Sequence, residues 1–371
     1  MFQRFFCPTK IAYGDGSLSE LNNLVSSYSD NVLIISTRSA AETSGAYAKV
    51  KKMLDDSNLR HFYENSITQN PDVSSVRLIS DKFNGKKISL IISIGGGSAI
   101  DAGKAISVCI GSGKSVDDLI LNGVSGESFV DHLAIPTTSG TGSELSKGSI
   151  LSDKSNGWKG GMRGNELFPR YAIVDPTLTH SLPKLVTLFT GFDAFTHAFE
   201  SYISNAHTDI TSIISLDILK NIVPALLEIS VDKNVRRNKE VLSFCSMMAG
   251  INLANSSTCL PHRIQYAIGS LSDSTHSEGL VCIYPAWISS LKEAKVSRYF
   301  TLASMISDAS GLDKDGPIED LIDRLGIARI LSNFGIEASD RDVLVSLTTG
   351  NLQLDPCYKD KNTIYRILEK S

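Results

Sequence analysis

The sequence predicts an α/β fold in two parts: a parallel sheet with flanking helices over residues 1–180, and an all-α domain over residues 181–371. Three observations predict it. Apolar runs of strand length alternate with helix-length segments in the first half. The best of these runs ends in a glycine cluster. After Val174 apolar residues recur at helical spacing, and no comparable strand run follows. The chain has 371 residues, more than one ordinary core organises, so length also favours two domains.

The predicted strands are Val32–Ile35 (VLII), Ile88–Ile94 (ISLIISI), Leu133–Ile135 and Tyr171–Val174. Continuous apolar runs of this kind suit strands covered on both faces. The domain boundary falls near Leu182–Pro183, where the proline can open a helix. Beyond it, Ile210–Leu227 and Lys239–Leu253 read as helices, with Gly250, Gly269, Gly311 and Gly335 as punctuation. No internal repeat or low-complexity segment is visible.

Composition narrows the function classes. Hydrophobic residues make up 42% and charged residues 20%, and the net charge is -4. That balance leaves no broad basic field for nucleic acid. The basic stretch DKNVRRNKE (Asp232–Glu240) reads as a solvated helix end. Six scattered cysteines form no C-x-x-C pair, which argues against a disulfide framework or a zinc knuckle. The N-terminal segment MFQRFFCPTKIAYG lacks a long apolar run, and no run approaches the roughly 20 residues a membrane span needs. The expectation is a cytoplasmic protein with neither membrane nor nucleic acid as partner.

Two loops and one cluster carry chemistry. Gly95, Gly96, Gly97 and Ser98 follow the best strand and open a segment of helical pattern that carries Asp101 and Lys104. Glycines there let backbone approach a pyrophosphate, and a helix start presents N–H groups to it. The loop is neither a G-x-G-x-x-G nor a Walker motif, and it also reads as a plain tight turn. After the next strand comes PTTSGTGSE (Pro136–Glu144), whose hydroxyls can bind a cofactor or cap a helix. Asp193 and His197 lie four apart in GFDAFTHAFESY, on one helix face; His262 and His276 flank a glycine-containing stretch further on. A carboxylate with imidazoles suits Fe(II), Zn(II) or a similar divalent ion, although a lone i, i+4 pair also occurs as a surface hydrogen bond. His61, His132, His180 and His207 have no such partners and read as structural.

Taken in order, PTKIAYGDGSLSEL, GGGSAIDAGK, TTSGTGSE, YAIVDPTLTHSLP, TGFDAFTHAFESY and PHRIQY…THSEG resemble the iron-dependent (group III) alcohol dehydrogenases over nearly the whole chain. The resemblance implies an N-terminal dinucleotide-binding domain and a helical domain that binds metal and substrate. It implies metal ligands at Asp193, His197, His262 and His276. It places the pyrophosphate at Gly95, Gly96, Gly97 and Ser98 with Asp101 nearby, further cofactor contacts at Thr137, Thr138 and Thr141, and a nicotinamide contact at Leu178. The implied reaction passes a hydride between NAD(H) or NADP(H) and a small alcohol or aldehyde, in a homodimer or larger homo-oligomer.

The sequence departs from the family pattern in three places. Where many members carry an acidic residue for the adenosine ribose, this chain has Thr37 and Arg38, which favours a 2′-phosphate and hence NADP(H). Tyr266 stands where members often have a further histidine; it can relay a proton, less readily than imidazole. Lys159, Arg163 and Arg263 add positive charge that would suit an anionic substrate, as in phosphonoacetaldehyde reductases, or would brace the fold. Two alternatives stand beside this reading: a glycerol dehydrogenase or dehydroquinate synthase of the same architecture, and a cofactor-binding protein without catalysis.

Overall fold

A computed structural model of the chain describes residues 3–153 and 156–371. These divide into two compact units: Cys7–Asn156 with Gly160–Leu182, and Pro183–Ser371 with Gly157–Lys159 and the residues up to Phe6.

The first unit is built on a six-stranded sheet of order β1-β8-β5-β4-β2-β3. The strands are β1 (Lys10–Tyr13), β2 (Asn31–Thr37), β3 (His61–Ile67), β4 (Ile88–Gly95), β5 (Asp131–Pro136) and β8 (Tyr171–Val174), and every pairing is parallel. In register, Ile34 sits beside Ile92 and Ile92 beside Leu133. Alternate side chains share a face. Val32, Ile34, Leu90, Ile92, Ile94, Leu133, Ile135 and Ile173 pack with Val50 and Leu54 of the Ala46–Asp56 helix. The helix Gly97–Ser112 follows β4 and buries Ala99, Ile100, Ala102 and Ile106. Both faces are thus used, which is why these strands read as continuous apolar runs.

The predicted strands correspond to β2, β4, β5 and β8. Four further strands carried no such signal. β1 is exposed along most of its length, and β3 (HFYENSI) is half-exposed at the opposite sheet edge. β6 (Gly148–Asp153) and β7 (Trp158–Arg163) form a separate two-stranded sheet. Gly161 permits that pairing, since a Cβ there would lie 2.6 Å from the Ser149 carbonyl oxygen. Edge strands are held by pairing more than by burial, so an apolar-run test passes over them.

The second unit is helical. Its helices include Lys184–Ile203, Asp209–Ser230, Val235–Asn255, Leu260–Leu271 and His276–Glu293. On Lys184–Ile203, Phe192, Phe195 and Phe199 form one stripe that packs on Tyr284 and Trp287, with ring centroids 5.2–6.5 Å apart. Edge-on and offset contacts of this kind lock ring positions as well as bury area. One expectation is corrected here: Asp209–Ser230 is long and apolar enough, by length and composition, to cross a membrane. In the fold, Ile218, Leu219, Ile222, Leu226 and Ile229 belong to the helical core, which accounts for that composition.

Gly111 supplies a stability test. A Cβ there would stand 2.3 Å from the Phe129 Cα, a backbone atom that cannot swing aside. Gly111→Ala is expected to lower stability by about 1–3 kcal/mol through forced displacement, read as an earlier denaturant midpoint. An unchanged midpoint would show that this approach is not tight.

Candidate metal centre and cofactor loops

Asp193, His197, His262 and His276 come from three helices of the helical unit. Asp193 and His197 lie one turn apart on Lys184–Ile203, with Glu200 a further turn on. At about 100° per residue this polar stripe sits roughly a third of a turn from the phenylalanine stripe. The aromatic core therefore fixes the azimuth of the ligands. His262 lies in the first turn of Leu260–Leu271, just after Pro261, which suits a helix start. His276 is the first residue of its helix. A reciprocal cap holds that end: Thr275 Oγ1 accepts from the Glu278 N–H at 3.3 Å, and Glu278 Oε2 accepts from the Thr275 N–H at 3.0 Å.

The four side chains converge. The Nε2 atoms of His197, His262 and His276 lie 3.6, 3.7 and 3.6 Å from Asp193 Oδ1. All four donor atoms fall within 4.8 Å of one another. These separations are too long for hydrogen bonds. They approach the ~3.4 Å spacing of donors placed tetrahedrally at about 2.0–2.1 Å from a metal. Asp193 Oδ1 and His262 Nε2 are buried without a hydrogen-bond partner, the condition a cation relieves. The donor set therefore fits a divalent ion. Burial alone would raise the Asp193 carboxyl, yet the surrounding histidines hold it well below the usual carboxylate range. Burial also works against charge on His262, but Glu200 and Asp193 raise that imidazole to about 9. His276 is lowered to about 3, by burial first.

The outer atoms of the ligands are also held. His262 Nδ1 lies 2.8 Å from Glu200 Oε1, and His276 Nδ1 is hydrogen-bonded to Gln265 Oε1. Glu200 Oε2 accepts from the Cys259 N–H at 2.7 Å. Asp355 accepts from the Leu260 N–H at 2.9 Å and from Trp287 Nε1 at 2.8 Å. Two buried carboxylates thus grip the start of the helix that carries His262, where the helix dipole favours negative charge. The sequence reading missed Glu200, Gln265 and Asp355. Glu200 and Gln265 had a signal, because each follows a ligand by three residues and so shares its face.

The cluster opens on the His276 side. Its side chain is 25% exposed, while those of Asp193, His197 and His262 are almost fully buried. The Tyr266 ring lies along His276 at 6.1 Å between centroids. The Lys159 ammonium belongs to the same unit. It would lie 2.6 Å from a Cβ built on Gly269, near enough to oppose charge on His276. Burial lowers Lys159 to about 8. Arg263 is buried, donates to Ser257 Oγ at 3.1 Å and passes over Tyr266, so it also braces this region. Arg163 lies exposed on β7, in the α/β unit.

The predicted cofactor residues gather at the carboxyl ends of β2, β4 and β5. The chain reverses its progress across the sheet between β2 and β4, the position where such sheets bind ligands. Gly95 has φ +151, and a Cβ there would meet Ala99 at 2.9 Å. Cβ atoms on Gly96 and Gly97 would meet Thr138 at 3.0 Å and Thr141 at 2.7 Å. Thr37 Oγ1 would lie 3.5 Å from a Cβ on Gly95, and the Thr137 N–H donates to the Gly95 carbonyl at 2.9 Å. Helical hydrogen bonding starts with the Ala99 N–H on Gly96, so the Gly97 and Ser98 amides lie at the helix start, where an anion can use them. Arg38 is exposed just beyond β2.

Two further expected cofactor residues make their contacts within the fold. Asp101 turns its carboxylate into the fold, accepting from Ser143 Oγ and, at 3.0 Å, from the Ile150 N–H. The buried Lys104 ammonium binds Ser143 Oγ at 2.8 Å and the Gly148 carbonyl at 2.7 Å in the same network. Leu178 is 1% exposed and packs in the sheet core with Ile173 and Leu133.

Comparison with known proteins agrees with this architecture. Residues 8–176 match the family model for iron-containing alcohol dehydrogenase, and residues 187–371 match its C-terminal counterpart. A sulfoacetaldehyde reductase of Bilophila wadsworthia is 27% identical over 341 residues, 89% of this chain and 88% of that protein. An NAD-dependent methanol dehydrogenase of Bacillus methanolicus is 27% identical over 334 residues, 90% and 87% of the two chains. The crystal structure of a sulfoacetaldehyde reductase from Bifidobacterium kashiwanohense in complex with NAD+ shares the fold, with TM-score 0.85, 23% identity and coverage of 100% and 98%.

Metal uptake tests the cluster. Chelator-treated protein is expected to take up a single divalent ion per chain, with Asp193→Asn and His262→Ala folding but retaining none. A His262→Ala protein that holds metal as the parent does would refute the ligand assignment.

Proposed function

The chain belongs to the iron-containing alcohol dehydrogenase family, and from that premise we propose that it reduces a small, anionic aldehyde with NADPH or NADH. The observation that carries the reading is the convergence of Asp193, His197, His262 and His276 on one point. When bound there, a divalent ion supplies a Lewis acid for the aldehyde oxygen, and the nicotinamide supplies hydride.

The remaining work falls to the protein. The buried ligands exclude water on three sides and leave the His276 side for a substrate. The Tyr266 ring lies along His276, which supports a role for its phenol in passing a proton to the alcohol oxygen. Lys159 supports an anionic substrate, because its ammonium shares the surroundings of His276. The sulfoacetaldehyde reductase among the relatives points the same way. Arg263 contributes by bracing Tyr266. Iron is the metal of the family, and the donors suit zinc as well. Exposed Arg38, beside Thr37 at the chain reversal, supports acceptance of a 2′-phosphate.

Cofactor oxidation by anaerobically iron-loaded protein tests both halves of the proposal. Aldehydes bearing a sulfonate, phosphonate or carboxylate are expected to give higher kcat/KM than neutral aldehydes of equal length. Lys159→Met should lower kcat/KM by about 10–100-fold for the anionic class, the range of a lost charged hydrogen bond, and leave the neutral class nearly unchanged. A preference for neutral aldehydes would overturn the substrate class. NADPH and NADH should have similar KM values or NADPH the lower, with Arg38→Ala weakening NADPH alone. A strong NADH preference would overturn the cofactor reading.

A further inference from the structure

The outer nitrogens of two imidazoles in the cluster are backed differently. His262 Nδ1 faces a carboxylate, Glu200, at 2.8 Å; His276 Nδ1 faces an amide, Gln265. Glu200 is fully buried, and both its oxygens are committed, the second to the Cys259 N–H at 2.7 Å. A glutamate can accept on both oxygens, whereas an amide offers a single acceptor oxygen. Glu200 is thus a buried acidic side chain one turn beyond a ligand, beside the equally buried Asp193.

A buried carboxylate without a nearby positive charge is costly. We propose that Glu200 is a positioning residue for the metal. Its carboxylate holds the Nδ1 proton of His262, so that Nε2 presents a lone pair to the ion, and it supplies the second of two buried negative charges that balance a divalent cation. Gln265 orients His276 in the same manner without adding charge. The cluster is thus graded: His262 is the carboxylate-backed, more basic donor, and His276 is the neutral-backed donor on the open side. Replacing Glu200 by glutamine sets an NH2 group against one of two N–H donors. If it meets His262, the ring must take the other tautomer and protonate the nitrogen that faces the metal.

The inference rests on the metal reading of the cluster, which Zn(II) binding by the parent protein tests separately. The probe is Zn(II), titrated into chelator-treated protein against a competing chelator, with melting temperatures of metal-free and Zn(II)-loaded forms. Glu200→Gln is expected to weaken Zn(II) by about 10–100-fold, the range for such outer partners. It should shrink the Zn(II)-induced rise in melting temperature. Glu200→Gln combined with Gln265→Glu moves the carboxylate behind His276 and should recover part of the affinity. In the Co(II)-substituted protein, the visible bands should shift in Glu200→Gln. A lower metal-free melting temperature with Zn(II) affinity within about twofold of the parent would overturn the proposal and leave Glu200 a fold-supporting residue. If Glu200→Gln does not fold, Gln265→Glu alone decides: tighter Zn(II) binding supports the role of the backing carboxylate, and unchanged or weaker binding contradicts it. Loss of Zn(II) binding by the parent would instead remove the metal reading itself.

Discussion

Three imidazole nitrogens and a carboxylate oxygen, nearly all out of water, face one point at distances too long for them to bond one another. Much of the helical unit follows from that constraint. The Lys184–Ile203 helix must present Asp193, His197 and Glu200 together, so its phenylalanines are confined to another stripe and pack on Tyr284 and Trp287. The helix that carries His262 begins where Glu200 and Asp355 can both accept from its first N–H groups. Burial pushes Asp355 up to about 6. The site thus concentrates negative charge in a place that only a cation, or protons on the histidines, makes tolerable.

The α/β unit answers a different constraint, the close approach of the glycine turn to the threonine loop after β5. Gly96 and Gly97 leave room for Thr138 and Thr141, and Gly95 takes a backbone angle that side chains rarely adopt. Asp101 and Lys104 then tie the glycine helix to the segment after β5. These bonds hold two loops in register, which accounts for two charged residues that turn into the fold so near the glycine turn.

Much of this was legible in the sequence, for physical reasons. β2, β4, β5 and β8 are buried on both faces and announce themselves as apolar runs. The glycine turn and the i, i+4 ligand pair are local patterns. His262 and His276 stand out as candidate ligands beside Asp193, and the family resemblance makes the four a ligand set, because nothing in the 68 residues between Asp193 and His262 marks their convergence. Exposed β1 and the glycine-containing β7 offered no periodicity to read. Glu200 carried a local signal three residues after His197, but its partner lies 62 residues away, and Asp355 was hidden by a partner 95 residues away. The apolar Asp209–Ser230 helix shows the converse: a composition that reads as one environment and packs in another.

The most direct measurement is an anomalous difference map from crystals of the metal-loaded protein, collected at the absorption edge of the bound ion. The account predicts a peak about 2.0–2.3 Å from Asp193 Oδ1 and from the Nε2 atoms of His197, His262 and His276. A peak elsewhere, or none at full loading, would contradict it.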